Sequence, residues 1–232
     1  MKQIKTVVNG HLKTMSPFII RDQGDVPPML FFRFNEISKK MQKEMSETAD
    51  GDFITVENGF FVPMAQRELL ANQDTFLKFM GRIMASLERV KVVGELESIT
   101  ISLSGKASVR DKKGTPDPTE VNVFILSGID KNGGVYTITK ELKAKMGTDT
   151  IVYDLVDSDL LEDLDNDINP FLGNFFELYN DSRARIDDNL RFLGMLTDAI
   201  SYKSDDPADF ASALIAAAIH ATVLSDSIRD GS

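Results

Sequence analysis

A central β-strand is predicted by the stretch Val121-Asn122-Val123-Phe124-Ile125-Leu126-Ser127-Gly128-Ile129, because apolar residues occur on both of its faces. A second strand, Ile99-Thr100-Ile101-Ser102-Leu103, alternates apolar and polar residues with the period of two that is typical of a half-buried strand. Residues 110–118, between the two, are charged and contain Gly and Pro, which indicates a loop. The first part of the chain is therefore expected to be organised around a sheet.

The N-terminal region is expected to form short β-strands separated by turns. The expected strands are residues 2–8, 11–15, 18–21 and 29–34. The first three are separated by Asn9-Gly10 and Ser16-Pro17, which are turn-forming pairs. After them, apolar residues at helical spacing predict a helix over at least 35–47.

A hairpin and a long helix are predicted next. The pair Asn58-Gly59, a strong signal for a tight turn, joins the expected strands 53–56 and 60–62. Apolar residues then recur along one face from Met64 to about Val90. At ~1.5 Å per residue this helix would be roughly 40 Å long, and it would bury one side.

After the central strand, a turn at 131–134 is followed by three expected elements. They are a strand at 135–139, a short helix at 140–146 and a last strand at 150–156. Beyond residue 157 the strand pattern disappears, and helical spacing predicts several helices, the last opening at Asp206-Pro207 with an Ala-rich stripe. The predicted fold class is α+β: an antiparallel-sheet-rich N-terminal domain, residues 1–156, with a long amphipathic helix, followed by an all-helical C-terminal domain, residues 157–232.

Charge is distributed unevenly between these two parts. The chain has a net charge of −10, yet residues 1–150 carry 21 Lys/Arg and 19 Asp/Glu, whereas residues 151–232 carry 5 and 17. A nucleic-acid-binding protein needs cations that replace condensed counterions, so the first part permits such a partner and the second does not. The acidic part is expected to face solvent, a basic partner or its own neighbouring domain.

Composition excludes several classes of site. With no cysteine, the chain has no disulfide, thiolate metal site, iron–sulfur cluster or cysteine nucleophile. No apolar run approaches the ~20 residues needed to span a bilayer, and the basic N-terminus lacks the apolar core of a signal peptide. The sequence also contains neither a Walker A motif nor a G-x-G-x-x-G motif. We therefore expect a mature cytoplasmic chain with no membrane partner and no cofactor.

One acidic motif has part of the spacing of a calcium loop. Asp163-x-Asp165-x-Asp167 matches the first three ligand positions, but Ile168 occupies the glycine position and Asn174 the position of the bidentate glutamate. Acidic residues near a helix N-terminus explain the run better. We expect no metal site.

No catalytic residues are assigned from the sequence. His11 and His220 lie in no metal or nucleophile motif, and no G-x-S-x-G motif accompanies them, so both are expected to be structural or surface residues. A hydrolase that uses Asp and Glu carboxylates is a third class of function, for which particular acids cannot be nominated.

A candidate nucleic-acid-binding site lies in the β-rich part of the chain. Its residues are Lys106, Arg110, Lys112, Lys113, Lys131 and Phe60. Cations near loop ends can follow phosphates, while exposed aromatic rings stack on bases at about 1–3 kcal/mol each. Because side chains alternate along a strand, only one of Phe60 and Phe61 can face outward. The competing interpretation is that the lysines serve solubility and the rings belong to the core.

A family resemblance supports this site. One segment resembles the strand-to-helix junction that closes each half of Whirly-type single-strand-binding domains: Gly59-Phe60-Phe61-Val62-Pro63-Met64-Ala65-Gln66-Arg67-Glu68-Leu69-Leu70. Residues 134–142 resemble a fainter second copy of this junction. The resemblance covers residues 1–156, with Gly105-Lys106-Ala107 where the family has Lys-Gly-Lys-Ala. It implies two sheet-plus-helix halves that bind single-stranded nucleic acid, and oligomers formed through helices. The organisation also resembles RNA-binding proteins of the phage nucleus, which implies a phage protein in the host cytoplasm.

Two functions from different classes follow. The first is a non-enzymatic protein that binds single-stranded RNA or DNA, with RNA favoured, and whose acidic helical domain serves homo-oligomerisation or contact with a protein partner. The alternative is a structural or adaptor protein, such as a virion or shell-associated component, that acts through protein–protein assembly.

Overall fold

The computed structural model describes residues 2–21, 28–39, 55–56, 58–63, 73–89, 91, 93–109, 119–146, 151–157 and 172–185. The chain divides into two compact units. Unit 1 comprises Met1–Met29 and Thr100–Leu172, and unit 2 comprises Leu30–Ile99 and Gly173–Ser232.

Unit 1 is a helix packed on an antiparallel sheet. Its elements are α1 (Lys2–Arg21), the larger part of β4 (Leu96–Val109), β5 (Thr119–Asp130), β6 (Val135–Met146) and β7 (Ile151–Val156). The strands follow the order β4-β5-β6-β7, and both β5–β6 and β6–β7 are antiparallel. The predicted strands at 99–103, 121–129, 135–139 and 150–156 are confirmed, and the first three extend beyond their expected limits.

The three short strands expected at 2–8, 11–15 and 18–21 are wrong, because residues 2–21 form the single helix α1. The residues that this helix buries recur every three or four positions, as one helix face requires. They are Ile4, Val7, Val8, His11, Met15 and Ile19. Asn9-Gly10 and Pro17 lie within the helix, where burial of this face outweighs their local preference for turns.

A glycine in β5 lets α1 lie close to the sheet. A Cβ at Gly128 would stand 2.7 Å from both Val8 Cγ2 and Thr100 Cγ2, and 3.1 Å from Ile4 Cδ1. His11, which is buried, shares a 2.8 Å hydrogen bond between its Nδ1 and Thr100 Oγ1. The helix is thus anchored by apolar contact at Gly128 and by a polar contact at Thr100.

The short helix expected at 140–146 is also wrong, since β6 continues to Met146. Its residues are rich in helix formers, but their backbone is paired with neighbouring strands. Lys140 and Glu141 lie opposite Phe124 and Val123 of β5, and residues 141–146 lie opposite residues 156–151 of β7. Backbone pairing with two neighbouring strands overrides the helical propensity of the segment.

Unit 2 combines short strands with two helices. It contains β1 (Met29–Phe34) from Leu30 onward, β2 (Thr55–Val56), β3 (Gly59–Pro63), α2 (Gln73–Arg89), the start of β4 and α3 (Phe175–Ala184). The strand order is β2-β3-β1-β4. The expected strand at 29–34 is confirmed, as is the long helix over the residues of α2, and residues 64–72 lie outside the described part.

The predicted hairpin of unit 2 is confirmed. Thr55 lies opposite Phe60 and Val56 opposite Gly59, in an antiparallel pair. Asn58, at the turn, has φ 56°, a left-handed conformation that asparagine tolerates better than most residues. Residues 53–54, the first half of the expected first strand, lie outside the described residues.

The helix expected over 35–47 does not begin at residue 35. Ile37 instead forms an isolated antiparallel bridge with Val93, and Glu36 O accepts a 2.9 Å hydrogen bond from Gly94 N. Asn35 N donates to Glu95 O at 3.0 Å, so this stretch extends the pairing between β1 and the start of β4. Lys39 is helical, and residues 40–50 lie outside the described part.

Helix α3 is fixed to α2 and to the core of unit 2. A chain of buried rings, with centroids about 6 Å apart, links Phe32 to Phe175, Phe176 and Tyr179. A Cβ at Gly81 of α2 would stand 3.3 Å from Tyr179 N, so the glycine permits the close approach of the two helices. Helix α3, which lies within the expected helical region, therefore belongs to the same compact unit as β1 from Leu30 onward.

The α+β class is thus confirmed for the described residues, whereas most of the expected all-helical domain lies outside them. The two compact units have boundaries at positions other than residue 157. The domain boundary expected at residue 157 stays a prediction. No helix among the described residues is both long and apolar enough to cross a membrane.

Candidate nucleic-acid interface

The loop cations proposed from the sequence are only partly described. Lys106 is exposed on β4 and pairs with Glu120 of β5, with 3.6 Å between Nζ and Oε2. Arg110, Lys112 and Lys113 lie in the segment 110–118, outside the described residues. Phe60 lies in β3 opposite Thr55, but its side chain is not among those described.

Lys131 is exposed on an ordered turn that follows β5. The buried Asp130 organises this turn, since its Oδ1 accepts 2.9 Å hydrogen bonds from the backbone N–H groups of Asn132 and Gly134. Gly133 N also donates to Asp130 O, and Gly133 has φ 78°, which favours glycine. The Asp130 carboxylate is thus directed at the amides of its own turn.

The two described cations of the predicted site are far apart. Lys106 lies beside Glu120 near the start of β5, whereas Lys131 follows the end of that strand. Lys131 is eleven positions after Glu120 in the sequence, which corresponds to roughly 36 Å at ~3.3 Å per residue. The structure therefore does not bring Lys106 and Lys131 into one patch.

The lysines of β6 lie beside carboxylates. Lys140 Nζ is 2.5 Å from Asp157 Oδ1, Lys143 Nζ is 3.2 Å from Glu141 Oε2, and Lys145 Nζ is 2.7 Å from Asp154 Oδ2. The hydrogen bond from Lys145, with its charge, holds the pKa of the Asp154 carboxyl below its usual value. These cations are neutralised locally.

The outer face of α1 has a different electrostatic character. The helix contains Lys2, Lys5, Lys13 and Arg21 and no acidic residue. Lys5, Asn9 and Lys13 are exposed and follow one another at four-residue spacing, which places them on one side of the helix; we call these three residues the cationic face of α1. Neither Lys5 nor Lys13 forms an ion pair with a described carboxylate.

An aromatic ring adjoins this face. Lys5 Nζ lies 5.3 Å from the centroid of the Tyr136 ring, which is half-buried at the start of β6. Tyr136 is opposite Gly128 in the β5–β6 register. Because Lys131 is three residues beyond Gly128, it lies about 10 Å further along the same hairpin. Helix α1, Tyr136 and Lys131 are thus neighbouring parts of unit 1.

Interpretation of residues 2–21 as short strands hides this face in the sequence. The spacing of Ile4, Val8, His11, Met15 and Ile19 is the signal that predicts the helix. The same spacing places Lys5, Lys13 and Arg21 away from the buried stripe. His11 is a structural residue, as expected, since it is buried and bonded to Thr100. Within the described ranges, no group of three or more His, Asp or Glu is placed to hold a metal ion.

Comparison of the chain with protein-family models, with curated proteins and with solved structures finds no match.

Proposed function

We propose that this protein is a non-enzymatic, single-stranded nucleic-acid-binding protein that contacts its ligand through unit 1. The observation that carries the proposal is the cationic face of α1, whose lysines are exposed and lack described carboxylate partners while the β6 lysines have them. Binding to a polyanion gains free energy when cations release counterions condensed on the phosphates. Lysines that already neutralise a protein carboxylate contribute less to this release.

RNA is the proposed strand chemistry, in preference to DNA. It is supported by the resemblance to Whirly-type domains and to chimallin C, an RNA-binding protein associated with the phage nucleus. The same resemblance supports a phage-encoded protein in the host cytoplasm that forms homo-oligomers. The loop cations Lys106, Arg110, Lys112 and Lys113 remain candidates for a second contact.

The test is a salt titration of binding, with fluorescently labelled single-stranded RNA and the full chain. For single strands, the slope of log K against log salt is about −0.7 per phosphate contact. The double variant Lys5→Gln/Lys13→Gln is expected to weaken binding and to reduce the slope by roughly 1.4. The matched control is Lys143→Gln/Lys145→Gln, which removes the same charge from paired lysines and is expected to leave the slope nearly unchanged.

Three results would contradict parts of this proposal. Absence of RNA binding by the wild-type protein at low salt would overturn the function. If the two double variants weaken RNA binding equally, the loss is a nonspecific effect of net charge, and the proposed site on α1 is wrong. The third result concerns a quadruple variant in which four cations are changed to Glu: Lys106, Arg110, Lys112 and Lys113. If this variant does not bind RNA while the α1 double variant binds as the wild type does, the binding site lies at the loop and not on α1.

A structural or adaptor role is the second candidate, and one observation favours it. β7 is the last strand in the sheet order, and Val152 on it is the exposed large hydrophobic residue of the described part, with 49% of its surface accessible. An edge strand with an exposed apolar residue can pair with another chain. A concentration-dependent assembly that Val152→Lys abolishes, in a protein that binds no RNA, would support this role.

A further inference from the structure

We infer that Tyr136 is a stacking position for an unpaired nucleobase, with Lys5 as the contact for the adjoining phosphate. This inference rests on the proposed function and assigns roles to two residues at one end of the cationic face of α1. It rests on the position of the Tyr136 ring, the charge of Lys5 and the close approach of α1 to the sheet.

The position of the ring is fixed by the sheet register. Tyr136 lies opposite Gly128, and a Cβ at Gly128 would meet Val8 and Thr100 at 2.7 Å. The space above Gly128 is therefore filled by α1 and β4, and α1 is held close beside the ring. Because Val8 and Lys5 are three residues apart in α1, the same contact places the Lys5 ammonium 5.3 Å from the ring centroid.

The Lys5–Tyr136 contact can give way to a nucleotide. A cation over an aromatic ring that water can reach changes an equilibrium constant by about two- to fivefold. Stacking of a base on an aromatic side chain changes it by roughly fivefold to 150-fold. When a base takes the place of the ammonium over the ring, Lys5 keeps an electrostatic partner in the phosphate of the same strand, so the exchange is favourable.

The arrangement favours single strands over duplexes. A base in a duplex is stacked on both sides and cannot present its face to Tyr136, whereas an unpaired base can. Stacking is tolerant of base identity because every base has a π-face. The expected specificity is therefore for strandedness and not for sequence at this position.

Tyr136→Leu separates stacking from charge. It is expected to weaken binding of a labelled oligouridine by fivefold or more and to leave the salt slope at its wild-type value, because no phosphate contact is removed. Lys5→Gln is expected to reduce the slope by about 0.7. The matched control is Tyr153→Leu, since Tyr153 is a half-buried tyrosine of β7 on the same sheet face, opposite Ala144 and about 26 Å along β6 from Tyr136.

A tryptophan reporter gives a direct reading of stacking. The chain contains no tryptophan, so Tyr136→Trp introduces a single emitter whose fluorescence a stacked base should quench. This readout does not depend on the stability of the Tyr136→Leu variant. We expect oligouridine to quench the tryptophan fluorescence. An abasic ribose–phosphate chain of equal length should not quench it.

The possible outcomes separate this inference from the proposed function. The stacking role is wrong if Tyr136→Leu binds RNA with wild-type affinity. It is also wrong if Tyr136→Trp binds RNA saturably without quenching. Neither result would contradict the proposed function. Equal affinity of the wild-type protein for the abasic chain would likewise overturn the stacking role and not the proposed function. If the wild-type protein binds no single-stranded RNA at low salt, the proposed function fails, and the inference fails with it.

Discussion

Replacing Tyr179 by phenylalanine tests how α3 is held in unit 2. The buried Tyr179 hydroxyl donates a hydrogen bond to Glu88 Oε2 and accepts one of 3.2 Å from Leu96 N. Arg183 completes the cluster, with Nη2 2.8 Å from Glu88 Oε1 and Nη1 3.6 Å from Glu95 Oε1. One hydroxyl therefore connects α3 with the end of α2 and the start of β4.

The magnitude follows from the two hydrogen bonds that the substitution removes. A hydrogen bond to a charged group contributes about 1.5–3 kcal/mol, and an unsatisfied buried N–H costs about 1–3 kcal/mol. Glu88 retains Arg183 and is partly exposed to water, so both contributions fall toward their lower ends. We expect Tyr179→Phe to lower the free energy of unfolding of unit 2 by about 2–3 kcal/mol.

Thermal unfolding followed by circular dichroism measures this loss. For a chain of this size 1 kcal/mol corresponds to about 2–4 °C, so we expect the transition of unit 2 to fall by roughly 5–10 °C. Tyr153→Phe is the matched control, because Tyr153 is half-buried and no side-chain hydrogen bond of it is recorded among the described residues; its transition should not move. A Tyr179→Phe protein that melts within 1 °C of the wild type would refute the account of the cluster.

Alkaline pH provides an independent test of the same hydroxyl. Burial, followed by the hydrogen bond to Glu88, raises the pKa of Tyr179 well above its ordinary value near 10. The folded state then binds this proton more tightly than the unfolded state does, so the stabilisation is complete below pH 10 and declines as the pH rises further. The stability difference between wild type and Tyr179→Phe should therefore shrink above pH 10, and a constant difference would contradict the assignment.

Three further substitutions test unit 1, with thermal unfolding as the measurement. Gly128→Ala should lower the free energy of unfolding by about 1–3 kcal/mol through overpacking between α1 and β4. The control Gly105→Ala, whose Cβ meets no atom within 4 Å, should be neutral or slightly stabilising. Equal changes in stability for the two variants would contradict this packing. Thr100→Val should cost about 1–2 kcal/mol because the buried His11 Nδ1 loses its hydroxyl partner, and an unchanged melting temperature would show the bond to be unimportant. Pro17→Ala should stabilise α1 by about 1–3 kcal/mol, since the exposed proline removes a backbone N–H inside the helix, and a lower melting temperature would mean that α1 requires the proline.

Elements with a strong internal pattern could be predicted from the sequence. The alternation at 99–103, the doubly apolar run at 121–129 and the Asn58-Gly59 turn each correspond to an observed element. The residues of α2 carry apolar positions at helical spacing over more than four turns, and that helix is also confirmed. In these segments, local propensity and tertiary burial favour the same structure.

The wrong predictions for α1 and β6 fall where local and tertiary preferences oppose each other. In α1, turn-forming Asn9-Gly10 and Ser16-Pro17 suggested breaks, but a continuous stripe from Ile4 to Ile19 is buried in unit 1. In β6, residues 140–146 consist largely of helix formers, yet their backbone pairs with β5 at Lys140 and Glu141 and with β7 from Glu141 to Met146. In both cases the deciding interactions come from other secondary-structure elements, which the pattern within the segment does not contain.

The same limitation applies to the candidate site, because counting charges does not reveal which of them are paired. Lys143 and Lys145 are as basic in the sequence as Lys5 and Lys13, but the β6–β7 register places Asp154 opposite Lys143 and beside Lys145. No acidic residue occurs in α1, so the cations on its outer side have no such neighbour within the helix. A net charge of −10 therefore does not prevent this chain from presenting a local polyanion-binding surface, because at ordinary salt the field of exposed carboxylates is screened within about 8–10 Å. Under the proposed function, binding would depend on the lysines that are not neutralised within that distance of the ligand, and strand register and helix packing determine which lysines these are.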